Sequence, residues 1–291
     1  MHIQPITLLG VKRGSKFSPN HIGNDEAIFN LTVTALEKMG CKVNVCTENE
    51  LMEMTDVQES FIFAMAREIV VVEKLKSLEE NGKVVINSGF GIENCFRTNM
   101  TNALIANNIP YPKSRIVLTD QPGDDAFTDL PGEGYWIKRG DFHAIHKEDV
   151  TYVESEEQGR YILKEFNLRG IPDAVISQNL PGDLVKFYGI RGSQFFHHFY
   201  PYDHNHHKYS SYEQINSATA HYPFNLDTLM QAADAAAIGL NIYIYGGDAI
   251  VDREGKFHII DFNDWPSFAP CRDIAAPHIA QCLYDNFIAN L

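Results

Sequence analysis

The segment "GGDAIVDREGKFHIIDFN", residues 246–263, restricts the fold more than any other stretch of the chain. Two strand-like runs flank "REGK", which reads as an antiparallel hairpin. A four-residue loop closed by Asp252 and Phe257 places Asp248 directly opposite Asp261, with Cβ atoms about 4.5–5.5 Å apart. Asn263 then emerges on the same face, one step further along. Facing carboxylates repel each other and desolvation raises the cost, so a buried pair shares a proton or holds a cation. With an amide oxygen added and no His or Cys ligand beside it, the set suits a hard ion, Mg²⁺ or Mn²⁺. Mg²⁺ takes phosphate oxygens as further ligands, which makes a nucleotide its natural companion. The alternative is structural: Asp261 and Asn263 as turn or capping residues before Pro266, and Asp248 as a strand-end acid beside Gly246 and Gly247.

Around this hairpin the chain has two textures. The first third alternates "ITLLGV", "DEAIFNLTVTALEKMG" and "CKVNVCT", a strand, a helix ending at Gly40 and a second strand, which together make a βαβ unit. "FAMAREIVVVEKLKSLEENG" and "KVVINS" repeat the theme as helix and strand, and "CFRTNMTNALIANNIPYPKSRIVLT" adds a helix closing into Pro110 and Pro112. An open parallel sheet flanked by helices is expected over residues 1–115. The Gly, Pro and Asp content of "TDQPGDDAFTDLPGEG" marks a boundary or mobile connection. Beyond it, "GYWIKRG", "EEQGRYILKEFNLRG", "PDAVISQNL", "DLVKFYGIRGSQFFHHFY", "NLDTLMQAADAAAIG", "LNIYIYGGDAIVD" and "KFHIIDFN" give antiparallel-type strands with helices between them. Residues 116–291 therefore read as α+β, and the whole chain as α/β followed by α+β.

Composition narrows the partners. The 291 residues suffice for two domains, and 44% hydrophobic with 21% charged content is ordinary for a globular protein. The formal charge of −14 is spread along the chain, which opposes nonspecific binding to nucleic acid or an anionic membrane. No charged leader precedes a long apolar run, and no stretch approaches ~18 apolar residues, so a cytoplasmic protein is expected. The five cysteines are odd in number and lack C-x-x-C spacing, so buried reduced thiols are expected rather than a disulfide framework or zinc knuckle.

These segments, in this order, resemble the ATP-grasp superfamily. "AADAAAIGL", "GGDAIV" and "DFNDWPS" are similar to its C-terminal signature, which implies that Asp248, Asp261 and Asn263 bind the magnesium ions bridging the ATP phosphates. "YWIKRG" resembles the strand whose lysine, here Lys138, contacts those phosphates. "AVISQNLPGDLVKFYGI" resembles the strand that reads adenine. Carried over, Gln178 takes the place of a usually acidic residue, Asn179 and Leu180 give backbone contacts, Asp183 meets the ribose, and Lys186 lies near the transferred phosphate. "NSGFGIENCFRTNMTNALIANNIPYP" resembles the linker from which a basic residue, here Arg97, approaches the nucleotide. The resemblance runs from about Asn87 to Phe268 and implies an ATP-grasp domain (116–291) behind an N-terminal parallel α/β, pre-ATP-grasp domain (1–115).

Three departures stand out. The loop after Lys138 is "RGDFHAIHKEDV", with only Gly140 before two histidines; Pro266 is followed by Ser267 rather than glycine; and the arginine common upstream of the metal ligands is missing, with "FFHHFYPYDHNHHKY" in that region. His197, His198, His204, His206 and His207 lack the spacing of a helical metal site and read first as loop histidines. They also offer cations for an anionic substrate, as does His143 near the phosphates. Lys12, Arg13 and Lys16 follow the first predicted strand, where loops at the carboxyl ends of parallel strands bind ligands. Substrate contacts are therefore expected from Lys12, Arg13, Lys16, His143 and His198, and catalytic roles from Lys138 and Lys186. By resemblance to ribosomal-protein glutamate ligase-like members, the expected reaction is ATP-dependent activation of a small-molecule or peptide carboxylate as an acylphosphate, captured by an amine. A small-molecule kinase of the inositol trisphosphate kinase-like kind, or a nucleotide-binding protein without turnover, is the alternative.

Overall fold

The computed structural model describes residues 6–14, 22–201 and 219–291, and three four-stranded sheets account for the described strands. The N-terminal sheet is wholly parallel, with order β2–β1–β3–β4, from β1 (Thr7–Lys12), β2 (Lys42–Thr47), β3 (Phe61–Ala64) and β4 (Val84–Ile86). Helices α1 (Ile22–Lys38), α2 (Glu48–Glu53) and α3 (Ile69–Glu80) connect its strands. The sequence reading merges β3 into the following helix, yet β3 is a central strand. "FIFA" is buried on both faces, as parallel strands are, so it carries no alternation that would separate it from the apolar start of a helix.

Two short helices, α4 (Gly89–Asn94) and α5 (Arg97–Ala106), lead into an antiparallel middle sheet with order β5–β8–β6–β7. Its strands are β5 (Ser114–Leu118), β6 (Tyr135–Arg139), β7 (Val150–Val153) and β8 (Asp173–Gln178), and α6 (Glu156–Leu168) covers one face. The expected division at 115/116 falls inside β5. The Gly- and Pro-rich stretch 119–134 is anchored: its Ala126, Phe127 and Leu130 are buried in the core under α6.

The third sheet, order β10–β9–β11–β12, is antiparallel. It comprises β9 (Asp183–Ile190), β10 (Phe196–Phe199), β11 (Ile244–Val251) and β12 (Phe257–Asp264), with α7 (Leu226–Leu240) packed on its outer face. The last helix, α8 (Arg272–Ile288), returns to α1 and the parallel sheet, where Phe287 meets Phe61 with ring centroids 5.1 Å apart. Asn87, fully buried, fastens the end of β4 to the start of β11: its amide donates to Ile244 O (2.7 Å) and accepts from Tyr243 N (2.8 Å) and Ile244 N (3.0 Å). The N-terminal and third sheets thus share a buried seam.

β9 enters its sheet through Gly182, whose φ of +149° and close neighbour leave no room for a side chain: a Cβ there would lie 2.3 Å from Val251 O. Gly182→Ala is expected to destabilise the protein by about 1–3 kcal/mol. The check is the thermal midpoint, which should fall by several degrees; an unchanged midpoint would mean the β9–β11 junction yields freely. All five cysteines are buried and unpaired, as expected. Among the described residues no helix is long and apolar enough to cross a membrane.

Candidate active site

The register of the third sheet builds the site. Strand pairing aligns Phe199, Lys186, Asp248 and Asp261 in one row and His197, Tyr188, Gly246 and Asn263 in the next. Positions two apart share a face, so both rows point the same way. Asp248 faces Asp261 as the sequence predicts, but by a different route. The last pair before the turn is Val251 with Phe257, which makes the loop one residue longer than assumed, and a bulge between Asp248 and Ala249 leaves Ile260 extra on β12. The bulge restores the expected pairing.

The acidic pair is held among cations. Arg97, the first residue of α5, donates from Nη1 to Asp261 Oδ1 at 2.9 Å, Asn263 Nδ2 donates to Asp261 Oδ2 at 3.3 Å, and Lys186 Nζ pairs with Asp248 Oδ1. Across the cleft Lys138, 4% exposed, donates from Nζ to the carbonyl of the bulged Ile260 at 3.1 Å. Burial, with Arg97 nearby, lowers the Lys138 ammonium pKa to about 7 although Asp261 and Asp248 oppose the shift. Burial works to raise the Asp261 carboxyl, and Arg97 and Lys138 overcome it, so the group lies below the usual carboxylate range. Two carboxylates and an amide on one face make a donor set of oxygens, the chemistry that suits a small hard cation.

Beside the acids, the middle and third sheets close on a slot lined by Pro112, Trp136, Lys138, Ser177, Gln178, Leu180, Ile250 and Ile260. Its walls are apolar except at a few points. Trp136 Nε1 donates to Asn179 Oδ1 at 3.0 Å, which fixes the indole, and Gln178 Oε1 is buried with no hydrogen-bond partner among the described residues. Apolar walls around one buried acceptor are the chemistry that recognises a planar apolar ligand presenting an N–H, although the slot is nearly closed as it stands.

The loop after Lys138 is fastened without a glycine-rich run. Asp149, fully buried, accepts from Ile145 N (2.8 Å), His146 N (2.9 Å) and Arg139 Nη1 (3.3 Å), and pairs with Arg169. The loop so held carries His143 inward, 7% exposed, against Phe96 and Phe142, with Nε2 3.4 Å from Asp264 Oδ1. Burial and the Arg67 charge lower the His143 pKa against the pull of Asp264, which keeps the imidazole neutral at pH 7.

The structure brings Lys138, Gln178, Leu180, Lys186, Asp248, Asp261, Asn263, Arg97 and His143 together, and sets several expected residues apart. Asp183 uses both carboxylate oxygens on the backbone N–H groups of Ala220 and Tyr222, at 2.8 Å each, and does not line the slot. Asn179 commits its N–H to Gly134 O at 3.2 Å. Arg13 is spent on structure: it donates to Met65 O (2.9 Å) and Trp265 O (2.9 Å) and pairs with Asp25 and Asp264. Lys12 pairs with Glu26 at 3.3 Å near the surface. His198 faces away from the acids, edge-on to Phe224 at 5.9 Å, while His197 takes the site-facing position. Alternation along β10 decides between the two, and no residue pattern announces which face is inward. Lys16, His204, His206 and His207 lie outside the described residues.

Sequence reasoning missed Arg67 and Asp264. Asp264, 0% exposed, accepts from Arg13 Nη2 at 3.4 Å and forms an ion pair with Arg67, whose Nε lies 3.3 Å from Oδ1. Arg67 follows β3 as Arg13 follows β1, so a correct assignment of β3 exposes it by the same rule of carboxyl-end loops.

A parallel α/β sheet followed by two antiparallel sheets that clasp a slot beside an acidic hairpin is the ATP-grasp fold, and the solved structures agree. The chain superposes on the RimK domain ATP-grasp protein from Sphaerobacter thermophilus (TM-score 0.64, 14% identity, 95% of this chain and 99% of that one). It is similar over 98% of its length, and 99% of the other's, to D-alanyl-alanine synthetase A from Vibrio cholerae (TM-score 0.70, 13% identity). The D-alanine–D-alanine ligase from Bacillus anthracis gives a TM-score of 0.66 at 14% identity, with 96% of each chain covered. No protein-family model matches the sequence, and no curated protein sequence matches it significantly.

Proposed function

We propose that the protein is an ATP-dependent carboxylate–amine ligase. The observation that carries this reading is the row Lys186–Asp248–Asp261, with Asn263 beside it, facing Lys138 across an apolar slot. Trp136, Leu180, Ile250 and Ile260 hold the purine, and Gln178 Oε1 accepts from its amino group, which satisfies a buried acceptor that has no other partner among the described residues. Asp248, Asp261 and Asn263 would hold Mg²⁺, which would supply positive charge to offset that of the phosphates. Lys138, Lys186 and Arg97 add positive charge around the phosphates and leave the reacting groups to positioning and electrostatics.

The chemistry needs no protein nucleophile. A carboxylate oxygen of the acceptor bonds to the γ-phosphorus while the bond to the β-γ bridging oxygen breaks and ADP leaves. The amine nitrogen then attacks the acyl carbon, the C–O bond to phosphate breaks, and the amine's proton is lost to solvent as the amide forms. The structural neighbours named D-alanine–D-alanine ligase and D-alanyl-alanine synthetase support this class. Incubation with Mg²⁺, ATP and a panel of paired carboxylates and amines should release ADP together with an amide product. ADP accompanied by a phosphorylated alcohol from a polyol panel would instead make the protein a kinase, and no ADP with any panel, in a sample that binds ATP, a non-catalytic binder.

A further inference from the structure

Beyond the nucleotide slot, the carboxyl ends of β1 and β3 meet the end of β12. Glu48, 2% exposed, ties them: one carboxylate oxygen accepts from Arg67 N (2.6 Å) and Glu68 N (3.0 Å), the other from Gly14 N (2.6 Å). Arg67 is thus presented from a fixed backbone. One edge of its guanidinium lies on Asp264, with Nη2 donating to the main-chain O at 3.1 Å and Nε 3.3 Å from Oδ1.

This contact is incomplete. Arg67 Nε, His143 Nε2 and Asp264 Oδ1 are all buried, within 3.4 Å of one another through Asp264 Oδ1, and none makes a properly aligned hydrogen bond among the described residues. Native proteins satisfy the great majority of such buried groups. The Asp264 carboxylate holds the inner edge of Arg67, and the side chain keeps 14% of its surface exposed. An arginine anchored on one edge by a carboxylate offers the other as a planar fork, the geometry that receives a second carboxylate. Through His143 and Asp261 this place is continuous with the phosphate end of the nucleotide site.

We propose that Arg67 binds the carboxylate of the acceptor substrate, a small carboxylic acid, and that Asp264 is the positioning residue that aims it. The inference rests on the ligase reading above and assigns the acceptor subsite to a residue at the end of β3. The test uses the whole chain with Mg²⁺ and saturating ADP, titrated with acetate and, separately, glycine. The protein has two tryptophans, Trp136 in the nucleotide slot and Trp265 next to Asp264. With the slot saturated, a saturable fluorescence change on adding carboxylate reports Trp265.

Arg67→Ala should weaken acetate and glycine at least tenfold, Arg67→Lys less, while ADP affinity by calorimetry stays at the native value and confirms that each variant is folded. Equal acetate affinity in native protein and Arg67→Ala overturns the proposal, as does absence of saturable binding by either probe in native protein that holds ADP. Failure to bind ADP at all would instead bring down the ligase reading on which the proposal stands.

Discussion

Asp261→Asn is expected to lower the rate of ADP formation by roughly three orders of magnitude, the several kcal/mol of charge stabilisation that a correctly held divalent ion supplies. The asparagine keeps the shape and still reaches Arg97 and Asn263, which contact Asp261 at 2.9 and 3.3 Å, but it removes one of the two charges facing the cation. Calorimetry should show native ATP binding that strengthens with Mg²⁺ and variant binding indifferent to it. Binding by Asp261→Asn that keeps its full dependence on Mg²⁺ would remove the hairpin from the metal site. Asp261→Ala is a poorer tool, because it strands the buried Arg97 guanidinium and so mixes a folding penalty with the loss of chemistry.

Lys138 gives the second large effect, and its sign follows from its pKa of about 7 against an ordinary 10.5. In the free protein at pH 8–9 the amine is mostly neutral; phosphate oxygens placed beside it favour the charged form. ATP binding should then take up nearly one proton in that range, less towards pH 6 where Lys138 is already protonated. The measurement is calorimetry in buffers of different ionisation enthalpy. Lys138→Met should lose this uptake and bind ATP roughly 10–100-fold more weakly, about 1.4–2.7 kcal/mol. The same depressed pKa makes the unfolded chain bind more protons between about pH 7 and 10.5, so Lys138 favours unfolding below that window and the penalty fades as pH rises through it. Buffer-independent heats for the native protein would place Lys138 away from the phosphates.

Much of the architecture was legible because it is written in local pattern. Alternating apolar runs and glycine-ended helices identify β1, α1 and β2, and the "REGK" turn between two strand-like runs identifies the acidic hairpin. The missed strand, β3, fails for the opposite reason: "FIFA" is uniformly apolar and runs directly into residues that look helical. The pairing of Asp248 with Asp261 was reached through a loop length wrong by one residue, which a bulge at Ile260 cancels. This bulge carries no glycine that would mark it in the sequence, so only the folded register reveals it. Asp183 illustrates a similar limit, since its position after Gly182 is compatible with a ligand contact or with the backbone bonds to residues 220 and 222 that it makes.

The sequence alone determined most of the order of elements, β3 excepted, the acidic hairpin with its amide neighbour, and the lysines of β6 and β9, because periodicity and residue chemistry are properties of short segments. Tertiary structure decided the rest. It chose His197 over His198 through the face that β10 presents, consigned Arg13 to a buried network, and brought Arg67, His143 and Asp264 to one place from three distant parts of the chain. Those outcomes depend on which surfaces meet when three sheets pack, and charge networks that span hundreds of residues have no local signature to read.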